Sequence, residues 1–352
     1  MRTGKISETI LKRSVLKYCR FPGADTVQGA GAANDSALFD VNNKRIISCA
    51  VHSAAIESSV NVIYSVEHAL NNLACSGCLP SAVLVTILLP PTFCEEELKE
   101  LMNMVSAVCG TYGIGIAGGH TEVTAAVNRP VLQVTALGFT EQAALTAGNI
   151  RPGMDLLMTG YAGMEGTSLL ARAYEQQLLG RFTLGFVEGA KKLGASISVL
   201  REAREAAALG AAALHDVSQG GVFGALWEMC QGGEIGLEAD LRRIPIRQET
   251  IEVCEYIGCN PYCLISGGAL LIAAQDGESM ARELGRRGIE AAVIGKTNAS
   301  RDRVLKNGEE RRFLSRPAQD EIYRVLYERG TGSGDECGHS PDKCAGAQKG
   351  EA

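Results

Sequence analysis

Several short strings in this chain set ionisable or hydrogen-bonding side chains directly beside glycine. They are Asp35 at the end of Gly29-Ala-Gly31-Ala-Ala-Asn34-Asp35-Ser36, the run Gly118-Gly119-His120-Thr121-Glu122, and Asp216 followed by Gly220-Gly221. Carboxylates such as Asp35, Glu122 and Asp216 suit a hard cation such as Mg²⁺. Glycines without a Cβ let backbone N–H groups approach phosphate oxygens closely. His120 and Thr121, released just after the glycine pair, could address phosphate or a substrate. The same residue types also end strands and cap turns, so the spacing alone leaves both readings open.

These strings need elements to hold them. Ile114 to Gly119 reads as a buried strand that stops at the glycine pair and gives way to a tight loop. Arg45 to Val51 reads as a strand that emits His52, Val60 to Cys75 as a helix carrying Asn71-Asn72, and Ala82 to Leu89 as a strand. Thr92 and Glu95 have capping-box spacing for a following helix with Leu98, Leu101, Val105, Val108 and Tyr112 on one face. Arg151-Pro-Gly-Met-Asp155 interrupts the pattern and marks a hinge.

Beyond the hinge, strand Leu156–Thr159, the loop Gly160–Thr167 and a helix over 168–177 form a potential anion cradle that lacks a Walker lysine. Helices follow near 184–193 and 198–209. Strand Ala212–Asp216 and the glycine turn open a helix from Val222, placing Asp216 near its N-terminus. Further strands at Ile235–Ala239, Ala269–Ala274 and Ala291–Gly295 interleave with helices near 248–257 and 278–287. The pattern is α+β, with one domain over 1–150, a second over 151–328 and a tail over 329–352. That tail contains no Leu, Ile, Val or aromatic residue, a composition expected to stay disordered.

Composition narrows the function classes. With 352 residues, two domains are the better expectation than one core. A net charge of −6 supplies no basic field for nucleic acid or an anionic membrane, so neither partner is expected. No apolar run approaches the roughly 18 residues of a membrane span, and the first residues lack the apolar core of a secretory signal. Twelve cysteines lie along the chain without a framework spacing, which reads as reduced thiols in the cytoplasm. The Cys75-Ser-Gly-Cys78 pair has no partner pair, so packing is its expected role.

The order of Gly4-Lys5, Asn34-Asp35-Ser36-Ala37, Asn71-Asn72-Leu73-Ala74, Gly118-Gly119-His120-Thr121-Glu122-Val123-Thr124, Thr159-Gly160 through Glu165-Gly166-Thr167, Asp216 with Gly220-Gly221, and Gln319-Asp320-Glu321-Ile322 resembles one superfamily. It is that of aminoimidazole ribonucleotide (AIR) synthase (PurM), selenophosphate synthetase, thiamine-monophosphate kinase and the hydrogenase maturation factor HypE. The HypE-like branch is the nearest match, over roughly residues 3–328.

The resemblance implies a two-domain fold whose N-terminal mixed-sheet domain dimerises, with ATP between the domains and Mg²⁺ on acidic residues. It implies phosphoryl transfer to an amide or carbonyl oxygen of a small molecule or a protein group. Carried over residue by residue, it gives Lys5, Asn34, Asp35, Asn72, Gly118, Gly119, Thr121, Gly220 and Gly221 as nucleotide-binding. It gives Asp35, Glu122 and His52 as metal ligands, and His120 and Asp216 as catalytic. His52 stands where the family has a metal-binding Asp, Asn71-Asn72 where it has Asn-Asp, and Gly267-Gly268 where it has Glu-Gly. These exchanges imply a weakened Mg²⁺ site. They also keep open a second reading, a catalytically impaired relative that binds nucleotide, regulates, or assists maturation with a protein partner.

Overall fold

The computed structural model describes residues 26–28, 36–41, 45–316 and 319–328; Lys5, Asn34, Asp35 and the tail lie outside them. Two sheets organise the chain. The first is built from β1 (Thr26–Gln28), β2 (Ser36–Val41), β3 (Arg45–Ala55), β4 (Leu79–Leu89), β5 (Gly115–Val123) and β6 (Val131–Thr140). Its order is β1-β2-β3-β6-β4-β5, antiparallel except where β5 runs parallel to β4 at the edge.

Alternation decides what this sheet carries. Val83, Val85, Ile87 and Leu89 of β4 and Leu132, Val134 and Ala136 of β6 are buried, the period-2 signature of a strand with one covered face. They pack on Val62, Val66, Leu70 and Leu73 of α1 (Ser59–Ala74) and on Leu101, Val105 and Cys109 of α2 (Glu95–Thr111). The opposite face is open, with Val51, Leu84 and Phe139 exposed. The α2 cap is not the expected Thr92–Glu95 box. Phe93 N–H closes a turn onto Pro90 O, which delays the helix, and Cys94 becomes the cap with its N–H donated to Glu97.

The second sheet has the order β13-β12-β9-β11-β7-β10-β8, from β7 (Asp155–Thr159), β8 (Ala213–Asp216), β9 (Gly236–Asp240), β10 (Leu270–Ala274), β11 (Ala291–Asn298), β12 (Arg303–Asn307) and β13 (Glu310–Phe313). Both faces of its centre are covered, which explains why β7 and β10 read as continuous apolar runs. Leu156 and Met158 point into one cluster with α7 (Gly221–Gly233). Leu157 points into another, with α6 (Leu200–Ala208) and α9 (Gly277–Arg286).

An outer layer combines α3 (Met164–Ala173), α4 (Glu175–Leu179), α5 (Leu184–Lys192) and α8 (Gln248–Ile257). The helix expected over 168–177 starts four residues earlier and breaks at Tyr174. The β12–β13 hairpin was missed by the sequence reading. Its two-residue Gly308-Glu309 turn, with Gly308 at φ +66° in the first position, was the available signal.

Candidate functional site

The Gly118–Glu122 string is not a loop. It is the second half of edge strand β5, which continues through Val123, and its backbone pairs with β4 rather than with a ligand. Gly119 is needed for that pairing, because a Cβ there would meet the Val85 carbonyl oxygen at 1.8 Å. His120 and Glu122 lie in register with Thr86 and Leu88, on the open face, where His120 Nε2 sits 3.3 Å from Glu122 Oε2 in solvent. Thr121 lies in register with Ile87 and so belongs to the other side of the strand.

His52 faces the helices. It is in register with Val134, which is in register with Val85, both buried under α1 and α2. Its ring stacks on His68 of α1 at 4.7 Å. The predicted metal set is therefore divided: His52 lies on one face of the sheet and Glu122 on the other. Among the described residues no group of three or more His, Cys, Asp and Glu side chains could hold a metal ion, so these residues do not fit a divalent cation. Asp35 lies outside the described residues.

The polar chemistry concentrates instead where α1 meets the second domain. Positions four apart share a helix face, so Glu67 with Asn71 and His68 with Asn72 form two adjacent stripes. The Glu67 carboxylate accepts from Ile197 N–H at 2.8 Å, Ser196 Oγ at 3.1 Å and Tyr112 Oη at 2.5 Å. Asn71 donates to Ile197 O at 2.7 Å and accepts from Val199 N–H at 2.9 Å. The Asn72 amide, oriented to donate, reaches the two oxygens of Asp216 at 3.0 and 3.2 Å. His68 Nε2 lies 3.1 Å from the Glu165 carboxylate, both side chains being almost fully buried.

Electrostatics follow from this packing. Burial pulls the His68 pKa down, but Glu165, then Asp216 and Glu67, outweigh it and leave the imidazole above its ordinary value. Burial, helped by the neighbouring His68 charge, drives His52 the other way, to about 3. The stack therefore joins a ring that resists protonation to one that holds a proton more firmly than a free imidazole.

Asp216 ends β8 fully buried, and the glycine turn after it is committed within the protein. Gly220 N–H donates to Asp320 at 2.5 Å, and Asp320 also accepts from Ile322 and Ile265 N–H groups. Burial raises Asp320 to about 7 against the lowering effect of those three N–H groups. Gly221, at φ +61°, packs so closely that a Cβ would lie 2.6 Å from Tyr262 O.

The expected cradle at Gly160–Thr167 is closed as well. Gly163 N–H donates to Ser266 Oγ and Gly166 N–H to Ile265 O, while Leu264 occupies the space beside Gly166. Sequence reasoning singled out Asp216, Asn72 and the Glu165 string, but missed Glu67 and His68. Two adjacent ionisable residues at 67–68, inside a helix otherwise apolar at Val62, Val66, Ala69 and Leu70, were the signal.

The Asn72–Asp216 contact borders a polar cavity of about 30 Å³ lined by Gln28, Cys75, Ser76, Thr146 and His215. That is room for one or two waters, roughly 30 Å³ being one water's share of the liquid. A second and larger groove of about 1030 Å³ opens on the other side of the domain seam, between α6 and the ends of β4, β6 and α2. Cys75 and Cys78 are buried in the core and form no disulfide with each other, as their spacing suggested.

Residues 34–140 match the family described as AIR synthase related protein, N-terminal domain, and residues 151–306 match AIR synthase related protein, C-terminal domain. The chain belongs to the AIR synthase related family. Its relatives within that family include hydrogenase maturation proteins. It is 24% identical over 337 residues to a putative hydrogenase expression/formation protein of Methanocaldococcus jannaschii, covering 92% of this chain and 97% of that one.

Among solved structures it resembles the HypE–HypF complex, with a TM-score of 0.70 at 19% identity over 87% of this chain and 99% of that chain. It also resembles the hydrogenase maturation protein HypE in complex with ATP, with a TM-score of 0.64 at 18% identity over 91% and 97% of the two chains. No helix among the described residues is long and apolar enough to cross a membrane.

Proposed function

We propose that this protein binds ATP at the seam between its two domains and transfers a phosphoryl group to an amide or carbonyl oxygen of a small molecule or protein group. The observation that carries the reading is the buried Asn72–Asp216 contact, where the family's two domains meet around a carboxylate. Family membership and the ATP complex of a structural relative support it. Phosphorylation would make the substrate oxygen a leaving group. Asp216 would orient or deprotonate the attacking group, with Asn72 holding its carboxylate in place, and Lys5, Asn34 and Asp35 would complete the nucleotide site.

A protein partner fits this reading, since one relative is found with HypF, as does work in the cytoplasm. A second copy would cover the open face of the first sheet, where Val51, Leu84 and Phe139 are exposed. Light scattering would show a homodimer.

One observation favours the alternative, a relative that binds nucleotide without catalysis and serves in regulation or maturation: His52 and Glu122 do not converge. Calorimetric titration with ATP, with and without Mg²⁺, separates the two readings. Mg²⁺-dependent binding that Asp35→Asn abolishes supports the enzyme. Metal-independent binding supports the alternative, and no binding at millimolar ATP refutes both.

A further inference from the structure

A further concavity lies in the C-terminal domain behind the glycine turn, and apart from Gly220 its walls are residues that the nucleotide reading does not use. It measures about 260 Å³ and is walled by Gly220, Phe223, Asn260, Leu305, Arg312, Phe313 and Arg316 among others. Arg312, Phe313 and Arg316 come after residue 306, where the family match ends, so this wall is not part of the matched domain.

Charge and shape together define what it takes. Phe223 stacks on Tyr262 at 5.3 Å, and the Arg312 guanidinium lies 5.9 Å from the centre of the Phe223 ring. A cation–π contact fixes a guanidinium without using its N–H donors. Arg312 has no ion-pair partner among the described carboxylates, so its fork is open to an anion. Arg316 lines the same wall but is engaged within the chain, which leaves Arg312 as the open charge.

The two nearby acids do not cancel this charge. Asp320 is buried and accepts three backbone N–H groups, and Glu321 is paired with Arg324 at 2.8 Å. On the rim, Phe313 is 70% exposed, an unusual position for an aromatic ring without a partner. Buried Leu305 and Leu314 continue the apolar surface below it. The volume falls near the lower end of the range for small-molecule pockets, roughly 300–1000 Å³. It suits one ring with one anionic group.

We propose that this pocket binds a small planar aromatic anion, its carboxylate or phosphate on Arg312 and its ring against Phe313. The site is separate from the domain seam.

The test is calorimetric titration of the full chain with phenyl phosphate, benzoate and inorganic phosphate. The expected result is saturable binding of at least one aromatic probe, weakened tenfold or more by Arg312→Gln. Phe313→Ser, a change at an exposed position, should weaken the aromatic probes and leave inorganic phosphate unchanged. A preference for phenyl phosphate over benzoate assigns a phosphate ester as the ligand class, and the reverse assigns a carboxylate. Asp216→Asn should leave binding of these probes intact. The proposal is overturned by absence of saturable binding of both aromatic probes, by binding indifferent to Arg312→Gln, or by loss of binding in Asp216→Asn. Failure of ATP to bind would count against the seam reading alone.

Discussion

Replacing Glu165 tests whether the two domains are held together by the His68 pair. Glu165 is 3% exposed and accepts from His68 Nε2 at 3.1 Å and from Gly267 N–H at 3.2 Å. Glu165→Ala leaves a buried imidazole and a buried N–H without their acceptor. Removing one partner of a buried pair costs about 3–5 kcal/mol, because the remaining charge stays desolvated. Glu165→Gln keeps the volume and one acceptor oxygen, so it should cost less, about 1.5–3 kcal/mol for the lost charge assistance.

The measurement is urea unfolding of wild type, Glu165→Ala, His68→Ala and the double variant, with a predicted coupling of about 1–3 kcal/mol. The pH sign is fixed by the direction of the shift. A His68 pKa raised on folding stabilises fully below the unfolded value of about 6.5 and ceases to do so as pH rises through the folded value. The gap between wild type and Glu165→Gln should therefore narrow at alkaline pH. Additive single costs at pH 6, with no coupling, would refute the argument that this pair joins the domains.

Four further outcomes are expected. Gly119→Ala should cost several kcal/mol or block folding, since its Cβ would meet Val85 O at 1.8 Å, whereas Gly118→Ala, with its nearest neighbour Leu84 Cδ2 at 3.7 Å, should cost less, only the strain of its φ of +159°. His52→Gln should improve stability at pH 5 relative to wild type in acid titration followed by circular dichroism. A ring held near pKa 3 when folded and about 6.5 when unfolded loses stability as pH falls below about 6.5, and the variant lacks that loss. Asn72→Asp sets a carboxylate within 3.2 Å of Asp216, so it should be destabilised at pH 8 by about 1–3 kcal/mol through like-charge contact and regain stability in millimolar Mg²⁺; thermal melts with and without EDTA check this. Asp320→Ala should lower stability by about 2–4 kcal/mol in urea, because three backbone N–H groups lose their acceptor.

How far the sequence could be read depended on whether a residue's neighbours were local. The strands of the first sheet were legible because one face is buried and alternation is a local property; β4 and β6 show it at every second residue. The capping residue of α2 was misplaced by two positions, because a Pro-Pro turn and a box-like Thr92–Glu95 spacing compete within five residues. The glycine pair at 118–119 was misread for a deeper reason. Glycine before polar residues has the same appearance whether it admits a phosphate or a neighbouring strand, and only the 1.8 Å approach to Val85 O distinguishes them.

The division of the metal set follows from parity, which a list of candidate ligands does not contain. His52 and Glu122 are both strand residues, and the register from β3 through β6 and β4 to β5 puts His52 in the row of Val134, Val85 and Gly119. Glu122 stands three residues beyond Gly119, an odd number, so it must project to the opposite face. No rotamer change brings the two to one ion, and a one-residue slip of β5 would bury His120 and Glu122 against α2. A cation at this protein's seam therefore cannot be held by both of them. That makes Asn72, 3.0 Å from Asp216, the position at which a single change from amide to carboxylate decides between metal-free and metal-dependent behaviour.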